Sequence, residues 1–91
     1  MKKTKRVIIS GTVQGVFFRN FIKDNADKIG VKGYVRNTPN SKVEVVMEGE
    51  NKQIEEMLGV CRKGPQHAFI KELEIEDISN QGYKEFKILR F

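Results

Sequence analysis

The hydrophobic period of this chain switches back and forth between two residues and about 3.6, and that switching limits what it can fold into. Residues 5–13, KRVIISGTV, put Val7, Ile9 and Val13 on one face with Gly11 between the last two, the alternation of a half-buried strand. From Asn20 the spacing turns helical. Phe18, Phe21 or Ile22, Ala26 and Ile29 recur at three- and four-residue steps and Gly30 closes the run, which predicts a helix over 20–29. GYVRN (33–37) reads as a short strand. TPNS (38–41) is turn chemistry, with a proline of fixed φ and an asparagine suited to a left-handed position. KVEVVME (42–48) sets Val43, Val45 and Met47 on one face, so 33–48 predicts a hairpin. Asn51 is the expected cap of a second helix that buries Ile54, Met57, Leu58 and Cys61 and stops at Gly64-Pro65. AFIKELEIEDI (68–78) alternates with Phe69, Leu73 and Ile75 expected inward, SNQG (79–82) turns, and KEFKILRF (84–91) is a last strand.

The order is strand–helix–strand–strand–helix–strand plus a terminal strand. Two βαβ-like halves joined by a hairpin predict an α+β, ferredoxin-like sandwich: a mixed, largely antiparallel sheet with right-handed crossovers and both helices on one face. Another small α+β arrangement of the same elements is the alternative. Ninety-one residues suit one core, so 1–91 reads as a single domain, with no linker, repeat or low-complexity stretch.

Composition narrows the function classes. No run of about 18 apolar residues is present to span a membrane. The opening MKKTKRVIIS is basic and then apolar only over Val7–Ile9, too short for a secretory segment. One cysteine makes no internal disulfide, so cytoplasm is the default compartment, and a monomer the default state. One histidine, one cysteine and no clustered ligand spacing imply no metal and no cofactor. The net charge of +5 favours anionic partners, though the cations are scattered along the chain.

GTVQGVFFR (11–19) gives that charge a focus. A βαβ unit runs its two strands parallel, which brings this segment and the Arg36-Asn37 strand end to one edge of the sheet. Amides entering a helix lack intrahelical partners and sit at the positive end of its dipole. Glycine permits close backbone approach, and Arg19 adds a planar fork suited to phosphate oxygens. These are the parts of an anion cradle, while a plain glycine turn with a solvated arginine fits the same residues.

GTVQGVFFR resembles the signature of the acylphosphatase family, in which Gly, Val-Gln-Gly-Val, an aromatic and Arg hold these relative positions. GYVRNTPNSKVEVVMEG (33–49) is similar to that family's second signature, with Gly33, Tyr34, Val35, Arg36, Asn37, Val43 and Gly49 in register. The likeness covers essentially the whole chain, including Gly64-Pro65. It departs at Ser41, where the family usually has glycine; the expected cost is turn strain relieved by Asn40 or Asn37 in the left-handed conformation. The resemblance implies metal-independent hydrolysis of the carboxyl–phosphate bond of a small acyl phosphate to a carboxylate and inorganic phosphate. Phosphate or other anions then act as product or inhibitor. It further implies that Arg19 and the backbone N–H groups of Gln14, Gly15, Val16, Phe17 and Phe18 hold the phosphoryl group, and that Asn37 orients the attacking water.

The rival class is RNA binding, because RNA-recognition motifs share this element order. KGYVRN (32–37) matches only the opening of their aromatic pattern and lies on the second strand, and KVEVVME carries no aromatic for a base to stack on, so no nucleic acid is expected. A non-catalytic or regulatory domain of the same family is a third reading. It ranks lower because both Arg19 and Asn37 are present. His67 reads as a surface residue, Cys61 as a small core hydrophobe, Tyr34 and Phe18 as core or site wall, and Tyr83 and Arg90 as strand or edge residues. In some family members the C-terminal carboxylate region supports the arginine.

Overall fold

The computed structural model describes residues 1–13 and 15–90. Its elements are β1 (Lys2–Gly11), α1 (Val16–Ile29), β2 (Lys32–Asn37), β3 (Val43–Glu50), α2 (Asn51–Lys63), β4 (Ile70–Ile78) and β5 (Phe86–Leu89). One mixed sheet has the order β4-β1-β3-β2-β5, antiparallel throughout except for the β2–β5 pair. Both helices cover one face, and the core lies between them and the sheet. Val7, Ile9, Val43, Val45 and Met47 point up from the strands to meet Phe18, Ile22 and Ala26 of α1 and Ile54, Met57 and Cys61 of α2. This is the ferredoxin-like sandwich that the periodicity predicts. No helix among the described residues is long and apolar enough to cross a membrane.

Several boundaries differ from expectation, each for a local reason. α1 begins at Val16, not Asn20. Its first turn carries Phe17 at an exposed position and so breaks the apolar period that marks the rest of the helix. β1 ends at Gly11, where the pairing with β4 shifts register; Val13 lies beyond the strand yet is fully buried. The cap of α2 is Glu50, whose N–H donates to Gln53 Oε1 at 2.9 Å, so Asn51 is already helical. The last strand is shorter than 84–91, and Phe91 lies outside the described residues.

Of Phe69, Leu73 and Ile75, expected inward, Leu73 packs against the core. Ile75 pairs with Val7 and points to the same face, but β4 is an outer strand that α2 covers only in part, and Ile75 stays 40 % exposed. Phe69 precedes β4 and is largely exposed at the sheet edge.

The face away from the helices holds buried charge. Glu48 accepts from the backbone N–H groups of Gln81, Gly82 and Tyr83 at 2.6–3.0 Å and from the Thr4 hydroxyl at 2.6 Å. Its carboxylate thereby pins the β4–β5 crossover to the sheet. Burial alone would push the Glu48 carboxyl up, but these donors outweigh it and hold the group below its ordinary value.

Candidate active site

The edge formed by the C-terminal ends of β1 and β2 collects the predicted site. The two strands run parallel with β3 between them, and Val43 pairs with Ile9 on one side and Asn37 on the other. Asn37 therefore stands level with Ile9, two strand spacings or about 10 Å across the sheet. Directly paired residues share a face, so Asn37 is on the helix side with Val43. α1 packs over β2, and its N-terminus lies at this same edge because the helix returns antiparallel to β1.

The loop between β1 and α1 is held at both ends. Thr12 N–H donates to Phe69 O at 2.8 Å, and Phe69 N–H donates to Thr12 Oγ1 at 2.8 Å, tying the loop to the segment before β4. A side chain at Gly11 would drive a Cβ to 2.0 Å from Phe69 O, so only glycine permits this closure. Val13 sinks into the core. Gly15 then caps α1 at φ 105° and ψ 168°, a region essentially restricted to glycine. The space beside it is open: no atom lies within 4 Å of where a Cβ would stand.

Because α1 starts at Val16, the first intrahelical bond is Arg19 N–H to Gly15 O, at 3.5 Å. The amides of Val16, Phe17 and Phe18 precede it. No side chain caps them and no acidic residue stands in the first turn, among the described residues. Arg19 Nε also turns back toward Gly15 O, at 3.4 Å. That brings the guanidinium to the loop instead of out along the helix. No carboxylate among the described residues pairs with it. Gln14 lies outside the described residues, as does the C-terminal carboxylate on Phe91.

Asn37 Oδ1 is buried and has no hydrogen-bond partner, alone in this among the described side-chain polar atoms. Buried acceptors are normally paired, so this orphan needs an explanation. The turn that follows Asn37 is tight. Thr38 N–H donates to Lys42 O at 2.8 Å, and Lys42 N–H donates to Thr38 Oγ1 at 3.1 Å. The expected strain at Ser41 is not relieved by Asn40 or Asn37: Ser41 itself takes the left-handed conformation, at φ 64°. The turn thus keeps the backbone shape that a glycine would give, and the departure in sequence leaves the hairpin intact.

Tyr34 is not core. It lies on the face away from the helices and donates to Glu44 Oε1 at 3.1 Å. Phe18 is core, and Cys61 is fully buried, its thiol pushed up to about 12 by burial. His67 is an exposed loop residue, as read from the sequence. Sequence reasoning missed the Thr12–Phe69 clasp, whose partners are far apart in the chain and follow no motif. Among the described residues, no group of three His, Cys, Asp or Glu side chains is placed to hold a metal ion.

Fold and site together define a small ferredoxin-like α/β sandwich with a glycine-entered helix start and a partnerless asparagine oxygen at one edge of its sheet. The chain belongs to the acylphosphatase family, whose model matches residues 5–88. It is 43 % identical over 84 residues to the acylphosphatase of Methanothrix thermoacetophila, covering 92 % of this chain and 93 % of that protein. The acylphosphatase structure from Coxiella burnetii superposes with a TM-score of 0.91 at 31 % identity, over 97 % of this chain and 93 % of that one. The crystal structure of the Bacillus subtilis acylphosphatase superposes with a TM-score of 0.92 at 28 % identity, over 99 % and 100 %.

Proposed function

We propose that this edge hydrolyses acyl phosphates to a carboxylate and inorganic phosphate, with Arg19 and the amides of residues 14–18 holding the phosphoryl group and Asn37 orienting the water. The orphaned Asn37 Oδ1 is the observation that carries the reading. A buried acceptor without a partner suits a ligand that arrives with the substrate. A water that donates one hydrogen to Oδ1 has its lone pair free to face the phosphorus. The bond from water oxygen to phosphorus forms as the bond from phosphorus to the carboxylate oxygen breaks. An amide oxygen is no base, so the water's proton leaves with the phosphate product.

The chemistry asks little else of the protein. The leaving carboxylate has a conjugate acid of pKa about 4, so it departs without a general acid or a Lewis acid. What remains is positioning and charge stabilisation on the equatorial oxygens. The first-turn amides, the helix dipole and a guanidinium turned toward the loop supply that. The sheet face away from the helices, where an RNA-recognition motif would stack bases, has Glu44, Val46 and Glu48 at its centre and buries all three, which speaks against nucleic acid as a partner. A cytoplasmic monomer goes with this reading, since the lone thiol is buried and no disulfide supports the fold.

The test is phosphate release from benzoyl phosphate with a chelator present, comparing wild type with Arg19→Ala and Asn37→Ala. Release by wild type, a sharp rise in KM with near-abolished turnover in Arg19→Ala, and a fall in kcat with binding retained in Asn37→Ala are expected. A fully active, folded Asn37→Ala protein would overturn the assignment.

A further inference from the structure

Thr12 and Phe69 exchange three hydrogen bonds just beyond the end of β1. Thr12 N–H donates to Phe69 O at 2.8 Å, Phe69 N–H donates to Thr12 Oγ1 at 2.8 Å, and the Thr12 hydroxyl donates to Phe69 O at 3.3 Å. Pairing of β1 with β4 slips between Ser10↔Glu72 and Gly11↔Ile70, so the regular ladder is already disturbed where these bonds form. Neither residue needs them to satisfy a buried group. Thr12 is exposed and Phe69 is 65 % exposed, so water would serve the same donors and acceptors. Stability alone therefore does not account for the clasp, but its position does. Val13, next in the chain, is fully buried, and α1 starts at Val16 with uncapped amides at Val16, Phe17 and Phe18. Between these fixed points stands Gly15, at φ 105° and with no atom within 4 Å of where a Cβ would be. Open space at Gly15 leaves the loop's path to be set where the chain enters it.

We propose that Thr12 is a positioning residue for the phosphoryl cradle: its hydroxyl, through Phe69, holds the loop in the shape whose amides converge on the anion. The inference rests on the hydrolase reading of this edge. Thr12 itself touches no substrate, because its N–H and its hydroxyl are both committed to Phe69. A loop that is clasped only part of the time binds the phosphoryl group more weakly, in proportion to the clasped fraction. Once bound, it presents the same groups to the reaction. The cost of loosening the clasp therefore falls on KM and leaves kcat alone. Asn37 has the opposite signature, since its loss is expected to lower kcat with binding retained. Anion binding and clasping are also reciprocal: whatever factor the clasp adds to phosphate affinity, phosphate adds to the closing of the clasp.

The experiment measures kcat and KM for benzoyl phosphate, and inhibition by inorganic phosphate, in wild type, Thr12→Val and Thr12→Ser. Thr12→Val keeps the β-branched shape and the main-chain bond and loses only the hydroxyl. Its KM and its phosphate inhibition constant are expected to rise together, roughly 3- to 10-fold, the worth of one hydrogen bond, with kcat within about twofold of wild type. Thr12→Ser, which restores the hydroxyl, is expected to restore both constants. A second measurement needs no substitution: saturating inorganic phosphate should slow hydrogen exchange at the Phe69 amide of wild type by at least the same factor. Turnover by wild type with KM unchanged in Thr12→Val, or with kcat lowered at constant KM, overturns the positioning role and leaves the hydrolase reading standing. A lowered Tm with KM unchanged does the same, since it makes the clasp structural only. No phosphate release by wild type overturns the hydrolase reading. Phe69 exchange that is indifferent to phosphate overturns the coupling of clasp and cradle in either case.

Discussion

Asn37→Ala separates catalysis from stability in a way that few site substitutions do. In the resting protein, Asn37 Oδ1 is buried and accepts no hydrogen bond from any described residue, so truncation breaks no known protein hydrogen bond at that atom. An unsatisfied buried polar group costs about 1–3 kcal/mol. Alanine packs less well than asparagine, which offsets part of this. The net expectation is a stability change between zero and a gain of about 1 kcal/mol, which for a domain this size raises Tm by no more than about 8 °C. Activity should move the other way. Loss of a single positioning contact to the nucleophile is worth roughly 10²–10³ in kcat, with KM little changed because the phosphoryl group is held by other residues. Thermal unfolding and steady-state phosphate release on the same preparation check both limbs. Asn37→Asp adds a discriminating control: it retains an acceptor but sets a negative charge beside the incoming phosphate, so KM should rise. A fall in Tm beyond about 5 °C in Asn37→Ala would show that the amide is structural, and kcat within threefold of wild type would show that it orients nothing.

Arg19→Lys should lose most of its turnover, since an ammonium cannot reproduce the planar fork that now turns toward Gly15 O; recovery of wild-type kcat/KM would refute a bidentate role. Ser41→Gly should raise stability by about 0.5 kcal/mol, the ~1–2 kcal/mol left-handed cost relieved less the extra chain entropy of glycine, and thermal denaturation reads it. Glu44 is held below its ordinary value: burial pushes it up, but hydrogen bonds from Arg36 and Arg6 outweigh that. Its stabilising contribution is therefore full above the unfolded pKa of about 4.3 and lost as pH falls through the lower folded value, so acid unfolding of Glu44→Gln should show a weaker pH dependence there. Cys61, buried with its thiol pushed up to about 12, should resist a soluble thiol reagent at pH 8 until the protein unfolds, as a labelling time course would show.

Much of the fold is legible because its signals are local. Each core strand declares itself by alternation, and Gly30 and Gly64 end the helices as their left-handed or irregular backbones require. The misreadings share one cause, which is that period alone does not say where cover runs out. Ile75 has the parity of a core residue and faces the helix layer, yet β4 is an edge strand that α2 covers only in part, and Ile75 stays half-exposed. Phe69 is apolar and adjoins an alternating run, yet it stands in water just before β4 begins. The start of α1 was hidden for a related reason: its first turn buries Phe18 but leaves Val16 and Phe17 exposed, so apolar residues there do not follow the buried face alone. Arg19 and Asn37 were legible as residue types in a signature. The orphaned oxygen of Asn37 and the backward turn of Arg19 depend on tertiary placement, and no spacing rule encodes them.

The two halves of the site sit on strands that do not touch, which leaves their alignment to β3. Val43 is the residue that brings Ile9 and Asn37 level, and the next residue, Glu44, locks that level from the opposite face. One Glu44 oxygen accepts from Arg6 Nε on β1, and the other accepts from Arg36 Nε on β2 at 2.5 Å and from the Tyr34 hydroxyl. The carboxylate is 3 % exposed, so these bonds act in a setting where water competes poorly. A slip of β1 or β2 by one residue against β3 would strand a buried charge as well as invert the strand's faces. Arg36 immediately precedes Asn37, so the bond that fixes β2 stands one residue from the amide proposed to hold the water. The network on the face away from the helices thus fixes the spacing of β1 and β2 at this end of the sheet. Under the proposed function, that accounts for why a domain this small keeps a buried carboxylate between two arginines at this end of the sheet.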